Sequence, residues 1–240
     1  MPATTRERGR RRAEPAPDDT ELDAEALPRG HTLADQAYQR LHHELMTGAL
    51  LPEQVLTVRG VAERYGVSLT PVREAVQRLV AERGLEVVGG RVIRVPRLDV
   101  ETYREILKIR MELEPLAARE AATRIAHEEI RRLEQVVVQH VAAIRAGDAR
   151  RTLAENTDFH LSIYRASQQT ILVGFIEVLW RRVGPTLNLL FPRYCGSLTG
   201  HENHLAAMEA LHRRDAEALA KAVRDDLVHG SSFLVRLLDP

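Results

Sequence analysis

TVRGVAERYGVSLTPVREAVQRLVAERGLEVVGGRVIRV, residues 57–95, is the stretch whose reading decides the fold. Two short helical patterns meet at a glycine-containing turn, and a hairpin follows at once. Val61, Ala62 and Tyr65 supply the inner face of the first helix, and Gly66 breaks it. The second helix opens after Val67-Ser68-Leu69, with either Thr70 as N-cap and Pro71 at the first helical position, or Ser68 as the cap. Val72, Ala75, Val76 and Leu79 follow the i, i+3, i+4, i+7 rule and form its buried stripe. Thr70, Arg73 and Gln77 fall on the opposite face, a hydroxyl, a guanidinium and an amide suited to phosphates and base edges in a major groove. Leu85 to Val88 and Arg91 to Val95 read as two strands around Gly89-Gly90, a pair that accepts a tight primed turn. Arg91 at that tip, with Arg94 beyond it, stands where a wing meets DNA. Each piece alone is ordinary; the ordered set within one short stretch predicts a winged helix-turn-helix.

Upstream, residues 32–47 form a first helix with Leu33, Ala37, Leu41 and Leu45 inward, ended by Gly48 and Pro52. Residues 1–30 carry an Arg cluster, prolines and an acidic run, too little apolar surface to offset ordering entropy, and read as a disordered tail. Pro96 marks the boundary between a DNA-binding domain over 31–96 and a second domain over 97–240. Beyond it the pattern is helical throughout, with six helices near 99–122, 128–146, 148–167, 170–190, 200–213 and 215–237. The expected fold class is therefore mainly α: a winged helix-turn-helix of three helices plus a β-hairpin, followed by an all-α six-helix antiparallel bundle.

Composition sets limits. Hydrophobic residues are 44% of the chain and aromatics 4%, so aliphatic packing dominates the cores. Formal net charge is zero, which argues against a generic polyanion binder and leaves specific contacts to carry DNA binding. One Cys excludes an intramolecular disulfide and, with no signal-peptide or membrane-spanning pattern, points to the cytoplasm.

VSLTPVREAVQRL closely resembles the VSRTPVREAL-RL signature of the GntR family of bacterial transcription regulators, and LADQAYQRLHHELMTGALLP (33–52) resembles that family's first helix and its G-x-L-x-P ending. The resemblance implies double-stranded operator DNA as partner and places Arg59, Ser68, Thr70 and Arg73 at DNA-contacting positions. Leu69 stands where the family usually has an Arg that helps read the operator. A single recognition helix reads few bases, so a homodimer on a short pseudo-palindrome is expected, as the resemblance also implies.

The second half resembles the FCD effector domain of the FadR subfamily through IRMELEPLAAREAA (109–122), NTDFHLSIYRAS (156–167) and HLAAMEALHRRDAEAL (204–219); six helices point to its VanR-like branch. Asn156 and His160 are four apart and project to one side of a helix. By resemblance, Asn156, His160, His204 and Asp226 occupy the positions that bind a divalent metal; the family more often has His at the last, and His229 lies almost one turn on. Such donors suit Zn, Ni, Mn or Fe. The alternative for His160 and His204 is a pair of hydrogen-bonded core histidines. Arg110 is the candidate for gripping a small organic-acid effector, its alternative being an intrahelical ion pair with Glu114. Arg181, Arg182, Asn188, Arg193 and His201 are further pocket candidates. No H-E-x-x-H, nucleophile elbow, phosphate-binding glycine loop or zinc-finger cysteine pair is present. The reading is a regulator, expected to be a repressor; a metal-dependent hydrolase, or a metal sensor without organic effector, is the alternative.

Overall fold

The computed structural model describes residues 32–191 and 199–239; the expected disordered tail over 1–30 and the pocket candidate Arg193 lie outside them. The first unit packs α1 (Leu33–Met46), α2 (Val58–Tyr65) and α3 (Leu69–Ala81) around one aliphatic core that includes Leu41, Leu45, Val61, Val72 and Leu79. Thr32 caps α1 by accepting the Asp35 amide, and Thr57 caps α2 by accepting the Gly60 amide. Gly66, at φ 66°, closes α2 in the left-handed region that glycine takes without strain. Ser68 rather than Thr70 bounds α3, so Pro71 stands at the third helical position and is buried.

Where the sequence reads a hairpin, the structure has a three-stranded antiparallel sheet. Strands β1 (Val55–Leu56), β2 (Glu86–Val88) and β3 (Val92–Arg94) are ordered β1-β3-β2. Two residues are too few for period-2 alternation to announce β1. At the wing tip the Arg91 amide returns to the Val88 carbonyl at 3.3 Å around Gly89 (φ 60°) and Gly90 (φ 73°).

The bundle comprises α4 (Val100–Arg124), α5 (His127–Ala146), α6 (Ala149–Ala166), α7 (Thr170–Val183), α8 (Thr199–Arg213) and α9 (Ala216–Leu238). Asp99, Asp148 and Asp215 cap α4, α6 and α9, each accepting the amide three residues on. The expected fourth helix over 170–190 instead changes to a 3₁₀ segment, Gly184–Leu190. Pro185 has no N–H for α-helical pairing, and the tighter turn lets the backbone at Gly184 meet α1. Among the described residues no helix is long and apolar enough to cross a membrane.

The two units share a joint at the end of α1. Met46 packs into the bundle core, Thr157 donates to the Met46 carbonyl at 3.2 Å, and Asn188 donates to the Gly48 carbonyl at 2.8 Å. Gly184 lies so close that a Cβ there would stand 2.2 Å from the Leu45 carbonyl oxygen and 2.6 Å from that of Met46. Gly184→Ala must therefore push α1 away from the bundle. It is expected to lower stability by about 3 kcal/mol, read as a drop of about 6–12 °C in thermal midpoint; an unchanged midpoint would mean that the joint is not close-packed.

Candidate functional site

Two surfaces carry the chemistry. The first is the outer face of α3 with the wing. Arg59, Ser68, Leu69, Thr70, Arg73, Gln77 and Arg91 are all exposed. Arg73 and Arg91 have no ion-pair or hydrogen-bond partner among the described residues, whereas Arg59 lies along Glu63 at 2.8 Å. The Ser68 side chain makes no capping bond, which leaves the first amides of α3 open to an outside acceptor such as a phosphate. Arg94, expected beyond the tip, is tied to Glu86 at 2.7 Å and is a strand-to-strand clamp instead.

The second is a cavity of about 100 Å³ inside the bundle. His160 on α6, His204 on α8 and Asp226 on α9 converge there: His160 Nε2 is 3.3 Å from His204 Nε2 and 3.2 Å from Asp226 Oδ2. The three donor atoms lie within 4.8 Å of one another. Asn156, one turn before His160, lines the same cavity. His229 does not; its Nδ1 sits 2.9 Å from the Asn203 side-chain amide.

Glu114, 1% exposed, organises the cavity wall. It accepts from Arg110 Nε at 2.5 Å and Nη2 at 3.3 Å, from the Tyr164 hydroxyl at 2.7 Å and from Trp180 Nε1 at 2.9 Å. Arg110 does line the cavity, and the Nε–Nη2 edge of its guanidinium is occupied by Glu114; the intrahelical pair is the arrangement present. Burial, then the Glu114 charge, raises the Tyr164 hydroxyl well above its usual range, so it stays protonated and donates. With its hydrogen directed at Glu114, the Tyr164 oxygen faces His160 Nδ1 at 3.2 Å and is free to accept from it. That turns Nε2 toward His204 and Asp226, where a metal would take it as a lone pair while Nδ1 keeps the proton.

Burial depresses His204 well below its ordinary value, and burial, then His160, depresses His140 to about 4. Burial acts to raise Asp226, but its bond to His160 and the charges of His160 and His204 outweigh that and hold it at about 2. A carboxylate and imidazoles in one buried cluster are metal-ligand chemistry.

His140 and Glu114 are the cavity residues that sequence reasoning missed or undervalued. His140 packs against His204 with ring centroids 4.9 Å apart. The signal was its place on the apolar stripe of α5 with Val136, Val137 and Ala143, which marks it as inward. Of the further pocket candidates, His201 lines this cavity, Asn188 serves the α1 joint, and Arg181 and Arg182 face the other unit.

Residues 33–95 match the family described as "Bacterial regulatory proteins, gntR family", and residues 105–229 match "FCD domain". The chain is 35% identical to the HTH-type transcriptional regulator McbR of Escherichia coli (strain K12), over 78% of this chain and 85% of that one. It is 27% identical to the HTH-type transcriptional repressor RspR of the same organism, over 80% and 84%. The solved structure of E. coli McbR/YncC superposes with a TM-score of 0.80 at 31% identity, covering 86% of this chain and 99% of that one.

Removing the buried carboxylate leaves Arg110 charged and unpaired. Glu114→Ala is expected to cost about 3–5 kcal/mol of stability, measured by denaturant titration. A loss below about 1 kcal/mol would show that Arg110 reaches water and that Glu114 does not organise the wall.

Proposed function

The chain belongs to the gntR family of bacterial regulatory proteins and carries an FCD domain, a DNA-binding transcription regulator rather than an enzyme, and from that premise we propose that it is a cytoplasmic homodimeric repressor controlled by a small carboxylate effector at a metal-containing cavity. The observation that carries the reading is the convergence of His160, His204 and Asp226 in a chain whose recognition face is exposed, with Arg73 and Arg91 unpaired among the described residues.

Ligand atoms about 2.0–2.1 Å from a tetrahedrally held ion stand about 3.3 Å from each other. The 3.2 and 3.3 Å separations at His160 fit that spacing, and Tyr164 holds the His160 ring with Nε2 inward. Asn156, His160, His204 and Asp226 would hold Zn, Ni, Mn or Fe, which when bound supplies a Lewis-acid seat for an effector oxygen. Arg110 acts as a positioning residue through Glu114. The apolar walls, Ile144, Leu153, Leu187 and Leu190 among them, favour an acid with a short apolar body.

Toward DNA, Arg73 and Gln77 read bases; Arg59, Ser68, Thr70 and Arg91 hold phosphates; Leu69 touches apolar groups such as a thymine methyl. For the dimer, α7 leaves Ile171, Phe175 and Val178 exposed at i, i+4, i+7, beside Gly174, where a Cβ would meet nothing within 4 Å. A contiguous apolar stripe of this kind marks a partner face. The route between sites is short: Trp180 bonds Glu114 in the cavity, and the next residue, Arg181, bonds Glu82 at the end of α3. An effector that shifts α7 thereby tilts the reading helix.

One crossed experiment tests the reading: operator affinity and metal content, each measured for the wild type, for Arg73→Ala and for His160→Ala combined with His204→Ala. Arg73→Ala should lose roughly 1–3 kcal/mol of specific binding and keep its metal. The double variant should keep the operator and lose both metal and effector response. Equal metal in all three proteins, or an unaltered operator affinity for Arg73→Ala, would overturn the corresponding half of the proposal.

A further inference from the structure

A second cavity, about 340 Å³, lies where the winged helix meets the bundle. Gly84, Leu85 and Pro96 line one side, and Arg181, Arg182 and Pro185 the other. The Arg181 side chain is 1% exposed. Its Nη1 bonds Glu82 Oε2 at 3.1 Å and reaches the Tyr38 hydroxyl at 3.4 Å. Its Nε and Nη2 are buried with no hydrogen-bond partner. Those two donors share one edge of the guanidinium, the edge that takes two oxygens of a phosphate or carboxylate side by side. Leaving charged donors unpaired in an interior is costly. Glu82 cannot turn to serve them, since it is already held by Tyr38 at 2.7 Å and Arg78 at 3.2 Å.

Charge and shape at this cavity point the same way. Arg83 and Arg182 line it too and have no ion-pair partner among the described residues. The acid in its lining, Glu86, is engaged by Arg94 at 2.7 Å. Gly84 lies against the Arg181 stem, where a Cβ would stand 2.9 Å from Nε; glycine keeps clear the space beside that donor.

We propose that this junction cavity is a second ligand site, separate from the bundle cavity, that binds a small phosphate-type dianion: inorganic phosphate or a phosphorylated metabolite of a few carbons. Arg181 grips two of its oxygens edge-on, and Arg83 and Arg182 neutralise the remaining charge. The anion then bridges α7 and the end of α3, so it stiffens the link through which the bundle moves the reading helix. The site stands on residues outside the metal set and does not depend on the metal reading.

The test is calorimetric titration of the full chain with inorganic phosphate at constant ionic strength, with chelator present so that no bundle metal contributes. Wild type should bind one phosphate per chain saturably. Arg83→Ala combined with Arg182→Ala, two substitutions at the mouth of the cavity, should weaken binding at least about tenfold, and Arg181→Met should abolish it. Circular dichroism checks that each variant is folded. Acetate, with one charge, should bind more weakly than phosphate. Phosphate binding that fails to saturate, is unchanged in the folded Arg83→Ala, Arg182→Ala variant, or is surpassed by acetate overturns the proposal.

Discussion

A carboxylate sealed inside an apolar bundle must be satisfied or be neutralised, and Glu114 is satisfied four times over. Its two oxygens take the Arg110 edge, the Tyr164 hydroxyl and the Trp180 ring N–H, so one residue on α4 fixes α6 and α7. The Coulombic gain of such a pair is largely cancelled by desolvation. Its value lies in specifying geometry. Because the Tyr164 hydroxyl is aimed at Glu114, its oxygen is left facing His160 Nδ1, and Nε2 of that ring is turned into the cavity.

From α7 the same constraint runs outward. Trp180 faces the cavity and Arg181 faces the winged helix, so consecutive residues of one helix report to two units. One turn later, Gly184 presses against the carbonyls that end α1. The end of α1 is held by Thr157 and Asn188 as well, while the end of α3 is held through Glu82. Movement of α7 by a fraction of an ångström must therefore be shared by the DNA-reading unit, because close-packed contacts of this kind do not deform continuously.

Much of this was legible in the sequence, for physical reasons that differ by region. Gly66, the Val72-to-Leu79 stripe and the Gly89-Gly90 pair each state a local rule, and they agree on a winged helix. The three histidine and aspartate donors were legible through Asn156–His160 spacing and family resemblance, while their convergence needed three helices to pack. Arg110 shows the limit. Its i+4 neighbour made the Glu114 pair readable as an option, but only the approach of Tyr164 and Trp180 from distant helices decides for it. Arg181 is one of several pocket candidates in the sequence, with no local pattern to single it out; its partner Glu82 is ninety-nine residues away in the chain, and no periodicity reports that. Strand β1 and the 3₁₀ segment were unreadable because one is two residues long and the other continues a helical pattern through Gly184-Pro185.

The central claim is that the Glu114 network fixes the His160 ring with Nδ1 on Tyr164 and Nε2 toward His204 and Asp226, so that Nε2 is the atom a metal would take. Nitrogen NMR of the His160 imidazole, in protein titrated with Zn, tests it directly. The proton should be found on Nδ1, bonded to Tyr164, with the metal on Nε2, and Glu114→Gln should weaken that preference. Metal on Nδ1, or a His160 signal that zinc leaves unchanged, would contradict the account.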